Sequence, residues 1–244
     1  MKAFFLAAVV AISLPGIGLH AGEVYGRADA PIVAEVLDTE IRTSDPEEMQ
    51  YVILGKLTDQ YAADNRIGVQ QDEIDAYVAS MERIAEQDRT EREARRTEIA
   101  GKLASQTLAS AERETLSAEL ATLNELDSML GGSGEKSAED QAAQREIGAA
   151  VVRQWKINQA LYRQYGGRVI FQQGGPEPLD AYRQFLEDAE KRGAFRILDP
   201  SLEPGFWRYF RTDSIHSFYP AGSDAEARAF ETPWWLMGNP DGVQ

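Results

Sequence analysis

The sequence predicts a mainly α protein with a long helical arm and a small C-terminal α/β element, and three observations support this fold class. An amphipathic helix with clear capping signals begins at Pro46. Residues 71–130 contain no proline and only one glycine, Gly101, which is typical of long helices. After Gly166 the chain carries two short β-prone segments on either side of a further helix.

The first helix is indicated by its cap and by its apolar spacing. Asp45 can accept a hydrogen bond from a free first-turn amide, Pro46 suits the first helical position, and Glu48 can complete a capping box. Apolar residues then recur at three- and four-residue spacing, at Met49, Val52, Ile53, Leu57 and Tyr61. Gly68 suits the left-handed position after the helix. We therefore expect a helix over 46–66 with one apolar face that another element covers.

A second helix is predicted from Gln71, because acidic residues in a first turn interact favourably with the helix dipole. These acidic residues are Asp72 and Glu73. One face of the new helix carries three larger apolar residues, Ile74, Tyr77 and Val78.

The middle of the chain predicts a helical hairpin arm at about 83–140. Residues 85–96 have almost no large apolar side chain, so this part is predicted to project into solvent on Glu/Arg pairs three and four apart. Leucines then restore an apolar seam from Leu103 to Leu130, and Ser110 can cap a new helix. The glycine-rich stretch from Gly131 to Asp140 is predicted to be the tip or a linker.

A returning helix is predicted over 141–165, and the C-terminal region follows it. Two predicted strands, 168–172 and 194–198, flank a helix over 179–192, and they would be parallel if both lay in one sheet. The glycine-rich turn between the first strand and the helix contains two prolines. Because proline lacks an amide donor, a structural turn is favoured over an anion site.

The last part of the chain is rich in aromatic residues. Trp207, Tyr209 and Phe210 are predicted to cover the small sheet, whereas Trp234 and Trp235 could instead form a partly exposed binding patch. Core packing is the interpretation that the sequence favours.

The first residues have the pattern of a Sec signal peptide. Lys2 precedes an apolar run of about 12 residues, which is short of the roughly 20 that span a bilayer. We predict a signal peptide over 1–21 with cleavage after Ala21, and a periplasmic mature chain without stable membrane insertion. An uncleaved anchor and a buried N-terminal helix are the alternatives. The remaining chain is divided into a helical region, 22–165, and a C-terminal region, 166–244.

Composition narrows the classes of partner. The chain has 25 Lys and Arg against 40 Asp and Glu, a formal net charge of −15, which argues against nucleic acid and anionic membranes as partners. The absence of cysteine excludes disulfides and thiolate chemistry.

The order of these elements resembles the N-terminal helical domain of SurA-type periplasmic chaperones and related parvulin-linked foldases. The matching pieces are Ile32 to Val36, Ile41 to Arg66, and Arg66-Ile67-Gly68-Val69 followed by Asp72-Glu73-Ile74. Gln70 or Gln71 replaces the usual Ser or Thr cap. The resemblance implies a SurA-N-like helical chaperone domain that binds polypeptide.

Catalytic signals are missing from the sequence. Where SurA-type chains carry a parvulin isomerase domain this chain has an Ala/Glu/Arg-rich helix, and His216 is the only histidine after the predicted signal. Asp213 and Ser214 lie close to His216, but no Gly-x-Ser-x-Gly elbow accompanies them, so a hydrolase triad is not predicted. We predict no catalytic residue, no cofactor and no metal ligand.

Two function classes lead, and a third, a hydrolase or degenerate isomerase, would require a substrate pocket that the sequence does not reveal. The leading hypothesis is a periplasmic chaperone, without recognisable prolyl isomerase activity, that binds unfolded or extended polypeptide in an apolar groove. The predicted groove residues are Met49, Ile53, Leu57, Tyr61, Tyr77, Trp155 and Tyr162. The same side chains would suit a helical core that binds nothing. The alternative is an extracytoplasmic structural or adaptor protein that docks a specific partner through its arm, or forms a homodimer by pairing its leucine seam.

Overall fold

A computed structural model describes residues 24–26, 29–130, 137–172 and 174–237. Over these residues the protein is mainly helical with a small sheet of short strands, which confirms the predicted class. The predicted signal peptide and its cleavage site lie outside the described residues. None of the described helices combines the length and apolar character that a membrane span requires.

The described residues form seven α-helices and six short strands. The helices are α1 (Pro46–Asp64), α2 (Gln71–Leu103), α3 (Ser110–Leu130), α4 (Ala138–Tyr165), α5 (Leu179–Lys191), α6 (Glu203–Arg211) and α7 (Asp224–Arg228). Single 3-10 turns occur at Asp213–Ile215 and Trp234–Leu236. The strands are β1 (Val24–Gly26), β2 (Ala34–Val36), β3 (Thr39–Arg42), β4 (Ile170–Gln172), β5 (Gly175–Glu177) and β6 (Phe195–Ile197). The helix starts predicted at Pro46, Gln71, Ser110 and Leu179 are confirmed.

The N-terminus of α1 is capped as predicted, with one difference. Asp45 Oδ1 accepts a hydrogen bond from the Glu47 amide at 2.8 Å. The Glu48 carboxylate accepts from the Thr43 hydroxyl instead of completing a capping box, because Thr43 lies just outside the helix.

The C-terminus of α1 differs from the prediction. Asn65 is the C-cap, so the left-handed position falls on Arg66, which has φ 55°, and not on Gly68. The Ile67 amide donates to the Ala62 carbonyl at 2.8 Å and closes the last turn. The prediction for Gly68 was wrong because it placed the helix end two residues late.

The main sheet has the strand order β1-β3-β2-β6. Strand β1 runs parallel to β3, and β2 runs antiparallel to both β3 and β6. Strands β4 and β5 form a separate antiparallel pair. The two predicted C-terminal strands therefore do not share a sheet. Gly175, at φ +107°, lets the chain turn back so that β5 pairs with β4, while Phe195 carries β6 into the main core.

One hydrophobic core joins the N-terminal and C-terminal parts of the chain. It contains buried side chains from β2, β3, α1, α4, β4, α5, β6 and α6. Phe195 and Phe206 lie at its centre, with ring centroids 5.5 Å apart and exposures of 1% and 0%. The predicted C-terminal α/β element is therefore part of the same core as α1.

The part of α2 from Arg83 onward and the whole of α3 form a helical hairpin, called the arm here (residues 83–130). Its buried apolar side chains form a small cluster of their own, Ile99, Leu116 and Leu123. Arg95 also makes a two-pronged ion pair with Glu119, with N–O distances of 2.7 and 2.8 Å.

Candidate functional site

The residues predicted to line a groove lie in two different places. Met49, Ile53 and Leu57 belong to the main core, where at most 4% of each residue is exposed. The Tyr61 ring lies 5.4 Å from Phe185, between centroids, and its hydroxyl donates to Gln164 at 2.9 Å. Met49, Ile53 and Leu57 are therefore covered by the chain itself, whereas Tyr61 is half-buried at the edge of the core.

Tyr77 of α2 and Trp155 of α4 contact the same ring, Trp235, and Tyr162 lies seven residues further along α4 against Phe230. They contact the C-terminal segment, defined here as residues 229–237. The Trp235 ring lies 5.4 Å from the Tyr77 ring and 5.9 Å from the Trp155 ring, between centroids, and only 3% of Trp235 is exposed. Phe230 packs against Tyr162 with a centroid distance of 5.0 Å. We call this feature the α2–α4 groove.

A glycine sets the close approach of the two helices that form the groove. A Cβ atom at Gly148 of α4 would lie 3.0 Å from Tyr77 Cδ1 and 3.4 Å from Ile74 Cγ2. An alanine at this position would fit only if the Tyr77 ring shifted slightly. Gly148 was not among the predicted groove residues, although a glycine inside an otherwise alanine-rich helix is a recognisable signal of close packing.

Ion pairs fix the same helices at the surface. Lys156 Nζ lies 2.9 Å from Glu73 Oε1 and donates to the Gly68 carbonyl at 2.6 Å. Burial acts to raise the pKa of Glu73, but hydrogen bonds from the Gln70 amide and from Lys156 outweigh it, so the net pKa is lowered. Glu73 is therefore charged at neutral pH, and α2 and α4 stay joined at this end.

Two polar side chains of the groove recognise main-chain carbonyls of the C-terminal segment. Ser80 of α2 donates from its hydroxyl to the Trp235 carbonyl, and Arg83 donates to Ser80 Oγ at 3.0 Å. Gln159 of α4 donates to the Phe230 carbonyl at 2.6 Å. Because every residue has a carbonyl, these contacts do not depend on the sequence of the bound segment.

One donor in the groove is left without an acceptor. Trp155 Nε1 is buried and has no hydrogen-bond partner among the described residues. An unmet buried donor costs about 1–3 kcal/mol. The C-terminal segment therefore fills the apolar part of the groove without meeting all of its polar groups.

The segment also contacts β5. A Cβ atom at Gly175 would lie 2.4 Å from Trp234 Cδ1, so the Trp234 ring packs directly on this glycine. Of the two tryptophans that sequence analysis considered as an exposed patch, Trp235 is buried and Trp234 is half-buried.

A second polar cluster surrounds Glu177, which sequence analysis did not single out. Glu177 Oε2 accepts from the Tyr209 hydroxyl at 2.9 Å, and that hydroxyl accepts from Gln172 Nε2 at 2.9 Å. Burial raises the pKa of Glu177. Burial, together with the nearby Glu177 carboxylate, also raises the pKa of Tyr209. The available signal was a lone acid between two prolines.

The histidine considered for a hydrolase triad has another role. His216 Nε2 lies 2.6 Å from the Tyr209 carbonyl, which it can reach only as a donor. Asp213 accepts from Arg168 at 2.7 Å, so Asp213 and His216 are engaged with different partners. In the part of the chain that the structure describes, no group of three or more His, Asp or Glu side chains is placed to hold a metal ion.

Comparison of the chain with protein-family models, with curated proteins and with solved structures gives no match. The resemblance to SurA-type chaperones therefore rests on the sequence alone and stays a prediction.

Proposed function

We propose that this protein is a periplasmic, SurA-like chaperone or assembly factor that binds unfolded or extended polypeptide in the α2–α4 groove, without covalent chemistry. The observation that carries the proposal is the way the groove holds the C-terminal segment. Aromatic rings of α2 and α4 contact its side chains, while Ser80 and Gln159 donate to its carbonyls.

This combination suits the binding of many different polypeptides. Ring contacts supply apolar contact area, and donors aimed at carbonyls add affinity without demanding a particular side chain. The charge of −15 keeps copies of the protein apart by mutual repulsion while the groove takes up apolar segments. Outer-membrane proteins in transit are clients of this chemical kind.

Suppression of the aggregation of an unfolded outer-membrane protein tests the proposal. The chain from residue 22 to 244 is compared with a Tyr77→Glu variant, which places a charge in the groove, and with Tyr51→Glu, which places the same charge at an α1 position that is 51% exposed. We expect the wild type and Tyr51→Glu to protect the client and a folded Tyr77→Glu to fail. Circular dichroism checks the helical content of both variants.

Two outcomes would contradict the proposal. One is a folded Tyr77→Glu variant that protects the client as well as the wild type does. The other is an absence of protection at every stoichiometric excess, by the wild type and also by a Trp235→Ala variant, which lacks the ring that lies against Tyr77 and Trp155.

The arm supports a second candidate, an adaptor that docks a specific partner. The observation that favours it is a hairpin with its own buried cluster, separate from the main core. An adaptor would not protect unrelated unfolded clients and would bind one partner saturably. That binding would be lost when exposed arm residues are changed.

A further inference from the structure

We infer that the C-terminal segment is an intramolecular ligand of the α2–α4 groove, which a client must displace, and that the displacing client carries two aromatic side chains five residues apart. This inference rests on the proposed function, because it names the ligand of the same groove and the competitor that regulates it.

The spacing follows from two anchor points along the segment. Phe230, which is 4% exposed, lies with Val169 and Ala229 in a buried cluster against Tyr162. Trp235, five positions later, fills the pocket lined by Tyr77 and Trp155. An aromatic side chain is therefore needed at two places, and the distance between these places fixes the spacing in the ligand.

The polar contacts fall on the same two residues. The carbonyl of Phe230 accepts from Gln159, and the carbonyl of Trp235 accepts from Ser80. Between the anchors, Glu231 and Thr232 are exposed. Each anchor thus combines a ring pocket with a side chain that donates to the anchor's carbonyl, and the exposed positions Glu231 and Thr232 are free to vary.

Part of the segment is exposed and has little regular structure, which gives a competing client access to it. Its only regular structure is the single turn at Trp234–Leu236, and Leu236 and Met237 are 47% and 57% exposed. It also leaves Trp155 Nε1 without an acceptor. A client that offers a carbonyl to this donor recovers a hydrogen bond that the resident segment does not make.

The C-terminal segment competes with an added peptide for the groove, and this competition sets how much the affinity for the peptide should change. A tethered ligand acts at an effective concentration of about 1 mM or more, so it masks the groove from dilute peptides. Removing one of its two anchors should unmask the groove. We expect Trp235→Ala to bind an added peptide roughly tenfold more tightly than the wild type does.

The probe is a fluorescent peptide with the sequence of residues 227–237, titrated into the chain from residue 22 to 244. The wild type, Trp235→Ala and the control Leu236→Ala, which changes an exposed side chain of the same segment, are compared by anisotropy. We expect Leu236→Ala to behave as the wild type. Peptides that lack either aromatic anchor, or that carry one extra residue between the anchors, should bind at least tenfold more weakly to Trp235→Ala.

Hydrogen exchange on the wild type gives a second measurement that does not depend on any variant. The Leu236 amide donates to the Pro233 carbonyl at 2.9 Å and the Met237 amide to the Trp234 carbonyl at 3.2 Å. We expect both amides to exchange faster when the groove is saturated with peptide or client. If Trp235→Ala does not fold, this measurement alone decides the inference.

The inference and the proposed function fail in different ways. If clients are protected but the two amides stay unchanged at saturation, and Trp235→Ala binds peptide no better than the wild type, the inference is wrong and the proposed function stands. If neither client nor peptide binds to the wild type or to a folded Trp235→Ala, the proposed function fails as well.

Discussion

The globular body and the arm are both built around helices, but they are stabilised in different ways. The body, meaning the described residues outside the arm, has one large core to which β2, β3, α1, α4, β4, α5, β6 and α6 contribute, and a smaller cluster around Phe230. The arm has three buried apolar residues, Ile99, Leu116 and Leu123, and a series of ion pairs between α2 and α3. A side chain in the body contacts elements that are distant in sequence, whereas a side chain in the arm contacts only nearby turns of a hairpin.

This difference predicts two levels of cooperativity. Elements from both ends of the chain pack in the same core and depend on one another for stability. The whole body should therefore unfold together. The arm contains few buried apolar groups, and regions of this kind open locally at lower free energy. The α2–α4 groove lies in the body, so its response to damage in the arm tests whether the two regions are independent.

The largest effect is expected for Phe206→Ala. This side chain is fully buried and packs between Phe195 and Trp207, with centroid distances of 5.5 and 5.0 Å. Its removal leaves a cavity and should lower the free energy of unfolding of the body by about 3–5 kcal/mol. Chemical denaturation followed by tryptophan fluorescence measures the change.

The matched control for this prediction is Phe171→Ala, because Phe171 is 43% exposed. Its truncation should lower the free energy of unfolding much less than truncation of Phe206 does. Equal losses for the two variants would mean that the core is not organised around the Phe195 and Phe206 pair.

The next largest effect is expected for Leu116→Ala in the arm. Leu116 is 7% exposed and packs in the small cluster with Ile99. The free energy of unfolding of the arm should fall by about 2 kcal/mol. This is the low end for a leucine-to-alanine change, because a two-helix hairpin can collapse around the cavity. Hydrogen exchange should show faster exchange in α3 and little change in α1 and α5.

Met129→Ala is the control, since Met129 is 77% exposed on the same helix. If Leu116→Ala speeds exchange in the body as much as in the arm, the two regions unfold as one unit and the comparison fails.

The helices could be predicted from the sequence because their signals are local. Pro46, Gln71, Ser110 and Leu179 each begin a helix where the capping and apolar patterns indicate. Such signals need only neighbouring residues, because the free amides of a first turn are met by side chains close in sequence. The end of α1 was misplaced because Arg66 adopts the left-handed conformation that glycine usually takes.

The pairing of distant segments could not be predicted in the same way. The position of β6 beside β2 depends on the fit of Phe195 in a core built by several elements. The apolar residues of α1 gave no sign of whether a client or the chain itself would cover them. Tyr77, Trp155 and Tyr162 were predicted to share a groove, but its occupant, Trp235, is distant in sequence and no spacing rule relates it to them.

A change in pH should reveal the cost of charging Glu177, a half-buried acid of the body. Burial raises the pKa of Glu177 above its ordinary value of 4.5, so the folded state holds this proton more tightly than the unfolded state does. The stability of the wild type should therefore fall as the pH rises from 4.5 through the raised pKa. Glu177→Gln removes this dependence and keeps an acceptor for the Tyr209 hydroxyl.

We expect Glu177→Gln to match the wild type below pH 4.5 and to become the more stable protein as the pH increases, by less than the losses expected above. Thermal denaturation across the pH range measures the difference. Glu231→Gln, at an exposed position in the C-terminal segment, controls for the loss of one negative charge. A difference between Glu177→Gln and the wild type that stays constant with pH would contradict the role assigned to burial.

The smallest effect is expected for Asp127→Asn in the arm. Asp127 accepts from Arg92 Nε at 3.0 Å and also pairs with Arg96, and its side chain is 26% exposed. Ion pairs this close to solvent contribute roughly 0.2–1 kcal/mol, and added salt screens them. Exchange in the arm should therefore differ between wild type and Asp127→Asn at low salt and become equal at about 1 M salt.

The effect of Leu116→Ala should persist at high salt, because burial of apolar area is not screened. If salt removed the Leu116→Ala effect and left that of Asp127→Asn, the arm would be held by its charges and not by its leucine seam.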